Sequence, residues 1–373
     1  MTTSVIASDR APQQRGVGLR PDFNRAPVIV IWEATSACDL ICRHCRAEAQ
    51  PACAPDEIND DTVRGLMDQV RAEFGPVVFV ITGGDPLKRA GLESLVAYGS
   101  RLGLVMALTP SATPLLTTDA VKRFKDAGLQ RIAISVDGAD AKTHDDFRGV
   151  PGTFQRSMDI LEAARRSGIE TQINSSIGRH NAGQLSAMAD IAAWQGVSLW
   201  SVFLLVPTGR AETDMLLSAV EHERLYLKLA NLALNPDTKF QIKTTAGQPY
   251  YRVLQQESLR RKVDLPLRSG SGVNDGNGFV FIAQNGDICP SGFLPMVCGN
   301  VKTDALAQIY REHPTFTRLR DPETFVGKCG HCAYQVRCGG SRSRTYALTG
   351  DPFASDPTCV YQPPGQAEKR TDA

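Results

Sequence analysis

The amino-acid sequence predicts an α/β protein: a partial (β/α)6 barrel of the TIM type, followed by a small cysteine-rich domain. Six short apolar runs alternate with six amphipathic segments between residues 28 and 234, which is the pattern of parallel strands joined by helical crossovers. Six repeats are fewer than the eight of a closed barrel, so the barrel should be open. The ten cysteines lie near both ends of the chain and are absent from 54 to 288, which indicates two metal sites around a catalytic body.

Each predicted strand is a run of six residues, and all of them except 170–175 are mainly apolar or β-branched. The strands are predicted at 28–33, 77–82, 104–109, 131–136, 170–175 and 200–205. Helical periodicity predicts the crossovers near 60–74, 89–102, 117–127, 153–167, 182–195 and 220–234. Because active sites of such barrels form at the carboxyl ends of the strands, residues that follow a strand are the first candidates for a site.

The domain boundaries follow from changes in composition. Residues 265–278 are rich in Gly, Ser and Asn and predict a linker loop between a barrel at 28–264 and a small domain at 279–362. In that domain two strand-like runs flank Asn285-Gly286, which is a hairpin signal. The rest of it has too few apolar residues for a core of its own, which favours a metal-held segment. Segments 1–27 and 363–373 are predicted to be flexible.

Charge and hydropathy exclude several classes of function. Lys+Arg is 41 and Asp+Glu is 40, so the net charge of +1 gives no electrostatic reason to expect a nucleic-acid or membrane-surface partner. No window has the ~18 consecutive apolar residues of a membrane span. Residues 1–27 lack the apolar segment of an export signal. We therefore expect a cytoplasmic protein whose cysteines are reduced and able to bind metal.

Cys38, Cys42 and Cys45 form a C-x3-C-x2-C motif directly after the first predicted strand. A structural zinc ion takes four ligands, whereas a [4Fe–4S] cluster held by only three thiolates keeps one iron open for another ligand. At the carboxyl end of a barrel strand, that open iron would face the place where barrel active sites are built. The alternative is a zinc site completed by His44 or Cys53, or three unrelated thiols.

The three-cysteine motif on a partial α/β barrel resembles the radical S-adenosylmethionine (radical SAM) superfamily, over about residues 28–360. The resemblance implies that the open iron binds the amino and carboxylate groups of S-adenosylmethionine. Reductive cleavage would give a 5′-deoxyadenosyl radical that abstracts hydrogen from a substrate. It also implies an electron donor such as a flavodoxin or a ferredoxin. It identifies no general acid or base, so no catalytic residue is assigned beyond the cluster cysteines.

The resemblance further implies which residues contact S-adenosylmethionine. The segment from Thr82 to Pro86 resembles the family's Gly-Gly-Glu-Pro loop, with an Asp one methylene shorter than the usual Glu. A guanidinium suits a carboxylate, which favours Arg148. The expected contacts are Gly83, Gly84, Asp85, Ser135, Asp137, Arg148, Asn174 or Ser176, and Val206, with Thr109, Ser111 and Thr113 as further candidates. The alternatives are a plain turn at the glycines and a solvated surface position for Arg148.

The second cysteine group has the spacing C-x2-C-x5-C, with a last cysteine after twenty more residues, and consists of Cys329, Cys332, Cys338 and Cys359. It resembles the SPASM extension of radical SAM enzymes. The resemblance implies one auxiliary [4Fe–4S] cluster that these cysteines ligate completely, and hence two clusters in all. A further auxiliary site lacks its ligands, because no cysteine stands at 339–342 or at 303–304. A zinc knuckle on the same four cysteines is the alternative.

Three other cysteines have no assigned cluster. Cys289 and Cys298 are expected to be ordinary or substrate-side thiols, and Cys53 a structural or incidental one. Tyr250, Tyr251 and Arg252 are candidates for lining a substrate pocket.

Three short sequence motifs, two of them in the small C-terminal domain, suggest a substrate class. Gly299-Asn300-Val301, the segment 307–310 and the Val-Pro-Thr-Gly-Arg segment at 206–210 are similar to radical SAM enzymes of haem d1 and alternative haem synthesis. That resemblance implies a tetrapyrrole whose propionate side chains are modified. Peptide maturases have a similar tail, but only 27 residues precede the first strand, so a peptide substrate would need a separate recognition protein. The motifs are also compatible with tailoring of another small molecule and with a non-enzymatic iron–sulfur electron carrier.

Overall fold

The computed structural model describes residues 22–266 and 272–364. The predicted flexible segments 1–27 and 363–373 and the predicted linker 265–278 lie partly outside these residues. Within them, residues 22–27 pack on the C-terminal region, where the Tyr310 hydroxyl donates to the Phe23 carbonyl at 2.8 Å and Arg311 donates to the Arg25 carbonyl at 2.9 Å. No helix in the described part of the chain is long and apolar enough to cross a membrane.

Ten strands of the described residues form one sheet. They are β1 Ile29–Glu33, β2 Val78–Thr82, β3 Val105–Leu108, β4 Arg131–Ser135, β5 Glu170–Ile177, β6 Leu199–Leu204, β7 Gln241–Thr245, β8 Phe279–Ile282, β9 Asp287–Cys289 and β10 Gly299–Asn300. The six predicted strands correspond to β1–β6, and β7 is a seventh parallel strand that the sequence did not predict.

Helices connect and cover these strands. They are α1 Asp60–Phe74, α2 Leu92–Arg101, α3 Thr118–Asp126, α4 Ala141–Arg148, α5 Thr153–Arg166, α6 Leu185–Trp194, α7 Ala219–Ala233, α8 Pro249–Arg261, α9 Leu306–Glu312, α10 Pro314–Arg320, α11 Gly327–Gly330 and α12 Arg342–Thr349. The predicted crossovers correspond to α1, α2, α3, α5, α6 and α7, while α4 and α8 are additional.

The sheet order is β10-β9-β8-β1-β2-β3-β4-β5-β6-β7. Strands β1 to β7 are parallel to their neighbours, and β8 pairs in parallel with β1. Strands β10 and β7 are the two edges, so the sheet does not close, and the prediction of a partial α/β barrel is confirmed. The predicted hairpin at Asn285-Gly286 is β8–β9, and it extends the barrel sheet past β1.

The main apolar core lies between this sheet and the helices. Met67 of α1, Leu161 of α5 and Leu229 of α7 belong to one buried cluster with strand residues such as Phe79 and Trp200. A second, smaller cluster around Leu294, Leu319 and Phe353 lies in the C-terminal region. The helix layer thereby fixes the strand ends from which the candidate site is built.

Candidate active site

The loop after β1 carries the three-cysteine motif at the carboxyl end of the barrel. Cys38 and Cys42 are buried and Cys45 is half-buried. Two backbone N–H groups approach sulfurs: Leu40 N lies 3.4 Å from Cys38 Sγ, and Ala49 N lies 3.4 Å from Cys45 Sγ. Hydrogen bonds to sulfur are a feature of cluster-ligating cysteines. Burial raises the pKa of Cys38 and Cys42, so their deprotonation is coupled to metal binding.

Gly83 and Gly84 allow the loop after β2 to lie directly on the cysteine loop. Gly84 N donates to Thr35 O at 2.8 Å, and Asp85 N donates to Ala37 O at 2.6 Å. A Cβ at Gly83 would lie 2.6 Å from Thr35 O, and one at Gly84 would lie closer than 3.0 Å to Ala37 O. Any side chain at these positions would therefore displace the backbone that precedes the first cysteine.

Asp85 joins the loop after β2 to the loop after β3. One of its carboxylate oxygens accepts from Thr113 Oγ1 at 2.7 Å, and the other accepts from Leu87 N at 3.2 Å and Ser111 N at 3.4 Å. Burial raises the pKa of Asp85, and these donors oppose the rise. Ser111 Oγ also lies 3.6 Å from Cys38 Sγ. The structure thus brings Asp85, Ser111 and Thr113 together beside the cysteine loop.

Arg148 connects the end of β4 to the cysteine loop. Its Nη2 lies 2.5 Å from Asp137 Oδ2, and its Nη1 lies 3.8 Å from Cys42 Sγ. Ser176 N donates to the other Asp137 oxygen at 2.6 Å. Burial alone would raise the pKa of Asp137, but the Arg148 guanidinium, the neighbouring histidines and the hydrogen bond from Ser176 N together outweigh burial, and the pKa is lowered. Arg148 is therefore an internal cation that joins the segment after β4 to the cysteine loop, with a side chain only 12% exposed.

The other expected S-adenosylmethionine contacts lie on β5 and after β3 and β6. Asn174 Oδ1 accepts from Gln172 Nε2 at 2.6 Å. Val206 is buried immediately after β6. Thr109 N donates to the carbonyl of Ile81 at 2.9 Å, which continues the ladder between β2 and β3. Their positions are at the barrel end, where the cysteine loop also lies.

A polar row crosses the inside of the barrel. Successive register partners on β4, β5, β6 and β7 are Ser135, Asn174, Ser201 and Lys243. The alternate residues Ile173 and Trp200 are buried in the core with the helices, so the row lies on the opposite face of the sheet. Ser201 Oγ is buried without a hydrogen-bond partner. Lys243 forms no ion pair with any carboxylate in the described residues, and burial, with Arg131, lowers its pKa.

The segment after β6 packs against the cysteine loop. Gly209 has φ 59°, and a Cβ there would lie closer than 3.0 Å to the Cys45 carbonyl oxygen. Arg210 N donates to the same oxygen at 3.0 Å, and Arg210 Nη2 donates to Ala49 O at 3.3 Å. Sequence reasoning selected Val206 from this segment, but Gly209 and Arg210 make its contacts with the cysteine loop.

His44, inside the cysteine motif, belongs to an aromatic stack that sequence reasoning missed. Its ring is parallel to that of Phe147 with centroids 4.2 Å apart, and Phe147 stacks on His180 at 3.8 Å. Burial lowers the pKa of His44 to about 3 and that of His180 to about 4, so both rings are neutral at neutral pH. His44 and His180 lie in two loops and Phe147 lies in α4, so no local pattern in the sequence links the three residues.

The four tail cysteines border one cavity that is partly open to solvent, together with Arg252 and Lys328. Backbone N–H groups approach three of the sulfurs at 3.4 Å: Asp356 N to Cys329, Tyr334 N to Cys332, and Gly340 N to Cys338. Among the described residues, no three His, Cys, Asp or Glu side chains are close enough to hold a single metal ion. Four thiols spread around one space suit a cube, in which each thiolate binds a different iron.

Other residues singled out from the sequence lie elsewhere. Cys289 and Cys298 do not border the tail cavity. Burial raises the pKa of Cys289 to about 12 and that of Cys298 to about 11. Cys53 is exposed, and Tyr250 is buried in the main core. Arg252, a candidate for a substrate pocket, instead borders the tail cavity.

Comparison with known proteins agrees with this arrangement. The model of the radical SAM superfamily matches residues 32–190, a range that contains the cysteine loop and the loops after β2 to β5. The chain is 37% identical over 360 residues to the AdoMet-dependent heme synthase of Nitratidesulfovibrio vulgaris, covering 94% of this chain and 97% of that protein. It is 33% identical over 347 residues to the enzyme of that name in Methanosarcina barkeri, covering 91% and 98%.

Among solved structures, Streptococcus suis SuiB bound to its precursor peptide superposes with a TM-score of 0.69 at 17% identity, covering 90% of this chain and 76% of that one. This likeness concerns the fold. The superfamily implies a [4Fe–4S] cluster and S-adenosylmethionine, and the donor set of the cysteine loop fits such a cluster. With two full-length relatives above 30% identity and the matching family model, the chain belongs to the radical SAM superfamily and is a radical SAM enzyme.

Proposed function

We propose that this enzyme modifies propionate side chains of a tetrapyrrole. The observation that carries the proposal is its similarity, over more than nine-tenths of both chains, to relatives named AdoMet-dependent heme synthase. Loss of a propionate carboxylate as carbon dioxide with formation of a carbon–carbon double bond removes one hydrogen atom and one electron from the side chain. The reaction therefore needs a hydrogen-abstracting group and an electron acceptor.

Two groups of cysteines divide these tasks in the proposal. Cys38, Cys42 and Cys45 would hold a [4Fe–4S] cluster that leaves one iron open to S-adenosylmethionine, and the cluster and S-adenosylmethionine together would supply the hydrogen-abstracting chemistry. Neighbouring residues fix the cysteine loop: the backbone N–H groups of Gly84 and Arg210 donate to Thr35 O and Cys45 O, and the Arg148 guanidinium approaches Cys42 Sγ. The tail cysteines would hold a second cluster with no open iron, which would clamp the tail and accept or donate electrons. A protein reductant such as a flavodoxin or a ferredoxin supplies electrons.

Lys243 is the residue that we propose binds a substrate carboxylate. It lies on the inner face of β7, next to Ser201 in register, and no carboxylate of the described residues pairs with it. Lys243 is half-buried, and a partly desolvated cation is costly without a negative partner, which a propionate would provide. Asn174 and Ser135 continue the same row toward the expected position of S-adenosylmethionine.

Anaerobic assays with matched variants test this function. With dithionite, S-adenosylmethionine and an iron tetrapyrrole that carries propionates, the reconstituted enzyme should form 5′-deoxyadenosine and a tetrapyrrole that has lost carbon dioxide. Lys243→Met should raise KM for the tetrapyrrole by at least about tenfold, the size of one lost charged hydrogen bond. Lys228→Met, at an exposed position of α7, is the control and should leave KM unchanged. Conversion of a peptide but of no tetrapyrrole would refute the proposal.

A further inference from the structure

Helix α12 begins with two fully buried arginines inside the tail. Arg344 has a negative partner, since its Nη2 lies 3.4 Å from Asp356 Oδ2 and both side chains are 0% exposed. Arg342 is also 0% exposed, but it forms no ion pair with a carboxylate in the described part of the chain. Both arginines lie in the first turn of α12 and are fully buried, but only Arg344 has a carboxylate partner among the described residues.

The contacts of Arg342 direct its guanidinium to a tail cysteine. Nη1 donates to the carbonyls of Pro352 at 2.8 Å and Ala354 at 2.9 Å. Nη2 approaches Cys329 Sγ at 3.7 Å, and the guanidinium lies 4.6 Å from the centre of the Phe325 ring. Arg342 thus adds a charged donor at Cys329, whose sulfur also lies 3.4 Å from Asp356 N, whereas backbone N–H groups approach Cys332 and Cys338.

The direct hydrogen-bond partners of Arg342 are neutral carbonyls and a thiol, and the buried carboxylate nearby, Asp356, already pairs with Arg344. A buried cation in this setting is strongly destabilising unless a further negative charge lies near it. A thiolate-ligated iron–sulfur cluster supplies that charge, and charged hydrogen bonds to its sulfurs alter its reduction potential. We propose that Arg342 is a positioning residue that compensates the charge of the auxiliary cluster through Cys329 and raises its reduction potential. This inference rests on the auxiliary cluster of the proposed function.

The electron balance determines the direction of the effect. Reduction adds one electron to the cluster and makes it more negative by one charge. The positive charge of a guanidinium is fixed, so it is the same in both oxidation states of the cluster. A fixed positive charge at the sulfur therefore stabilises the reduced state more than the oxidised state. A higher reduction potential makes the cluster a better acceptor for the electron that the substrate gives up when it loses carbon dioxide.

The test is a redox titration of the auxiliary cluster, followed by electron paramagnetic resonance in full-length protein. The signal is assigned as the one retained when Cys38, Cys42 and Cys45 are all replaced by Ala. We expect Arg342→Gln to lower the midpoint potential and Arg342→Lys, which keeps the charge, to lower it less. Arg318→Gln is the matched control, because Arg318 lies over the Phe353 ring in the same tail. Equal potentials in Arg342→Gln and Arg318→Gln would overturn the inference.

Two further measurements keep the outcomes distinct. If Arg342→Gln does not retain its cluster, the thermal stability of the iron-free variants is compared with that of iron-free wild type. Equal stability of Arg342→Gln and wild type supports the proposal that Arg342 compensates the cluster charge. An equal loss of stability in the Gln and Lys variants shows instead that Arg342 only holds the carbonyls of Pro352 and Ala354. If the chain in which Cys38, Cys42 and Cys45 are all replaced by Ala contains no iron, the auxiliary cluster of the proposed function is refuted. Unchanged midpoint potentials would instead refute only the role of Arg342.

Discussion

At the scale of single residues, the buried pair of Asp137 and Arg148 has the largest predicted effect on stability. Removing the guanidinium leaves a fully buried carboxylate without its cation, which costs about 3–5 kcal/mol. We therefore expect Arg148→Met to lower the free energy of unfolding of the iron-free protein by that amount in denaturant titrations. Adding Asp137→Asn to the same chain should recover part of the loss.

The exposed pair of Arg166 and Glu162 on α5 is the control for this prediction. Arg166→Met should cost less than about 1 kcal/mol, because solvent screens an exposed pair. If Arg148→Met and Arg166→Met had equal effects, the internal role of Arg148 would be wrong.

Lys243 gives a pH dependence with a definite sign. Burial lowers the pKa of its ammonium group in the free enzyme, and a bound carboxylate raises it again. As the pH rises through the pKa of the free enzyme, Lys243 loses its charge and KM for a carboxylate substrate should rise. Substrate-free cleavage of S-adenosylmethionine should not follow this profile. Lys243→Arg should move the rise to higher pH, because guanidinium stays charged; identical KM profiles for the two proteins would contradict the assignment.

At the scale of elements, the site depends on backbone contact between loops. Gly84→Ala would place a Cβ against the Ala37 carbonyl and push the cysteine loop away. We expect this variant to lose iron from the first cluster and most of its 5′-deoxyadenosine formation. Gly65→Ala on α1 is the matched control, because nothing lies within 4 Å of its Cβ position; it should gain about 0.5–1 kcal/mol of stability. Full activity of Gly84→Ala would show that the two loops need not touch.

The sequence predicted those elements whose burial is visible in their own residues. Strands β1 to β4 and β6 are largely apolar because helices or the barrel interior cover them, and their apolar runs marked them. Strand β5 is polar at alternate positions, and its place in the repeat of strands and helices marked it. Strand β7, Gln241–Thr245, is an edge strand with polar residues at alternate positions, and its composition does not differ from that of a loop. Strands β1 and β8 pair although about 250 residues separate them in the sequence, and no local pattern predicts such a pairing.

Among the site residues, too, the sequence predicted only those that form a local pattern along the chain. The cysteine spacing and the glycines at 83 and 84 were visible because they are close in sequence. The stack of His44, Phe147 and His180 joins two loops and helix α4, which are distant in sequence. The burial of Arg342 depends on how the tail packs. The Ser-Arg-Ser-Arg run at 341–344 did not predict buried cations, because charged residues usually lie on the surface.

At the scale of the whole molecule, the tail and the barrel are expected to be coupled through the second cluster. Wild type should contain about eight irons per chain and Cys329→Ala about four. Cys329→Ala should also form 5′-deoxyadenosine without product, because the first cluster lies on the barrel. Cys53→Ala, at an exposed thiol, should match wild type in iron and product. About twelve irons in wild type would mean that Cys289 and Cys298 help to hold a third cluster.

The most direct test of the account is the amount of decarboxylated tetrapyrrole formed per 5′-deoxyadenosine, measured by mass spectrometry in an anaerobic reaction of the fully loaded enzyme. We predict that a propionate-bearing iron tetrapyrrole is converted with at least one 5′-deoxyadenosine formed per carboxylate lost. Cys42→Ala should form neither compound. If the loaded wild-type enzyme forms 5′-deoxyadenosine while every propionate of the tetrapyrrole stays intact, the proposed function is contradicted.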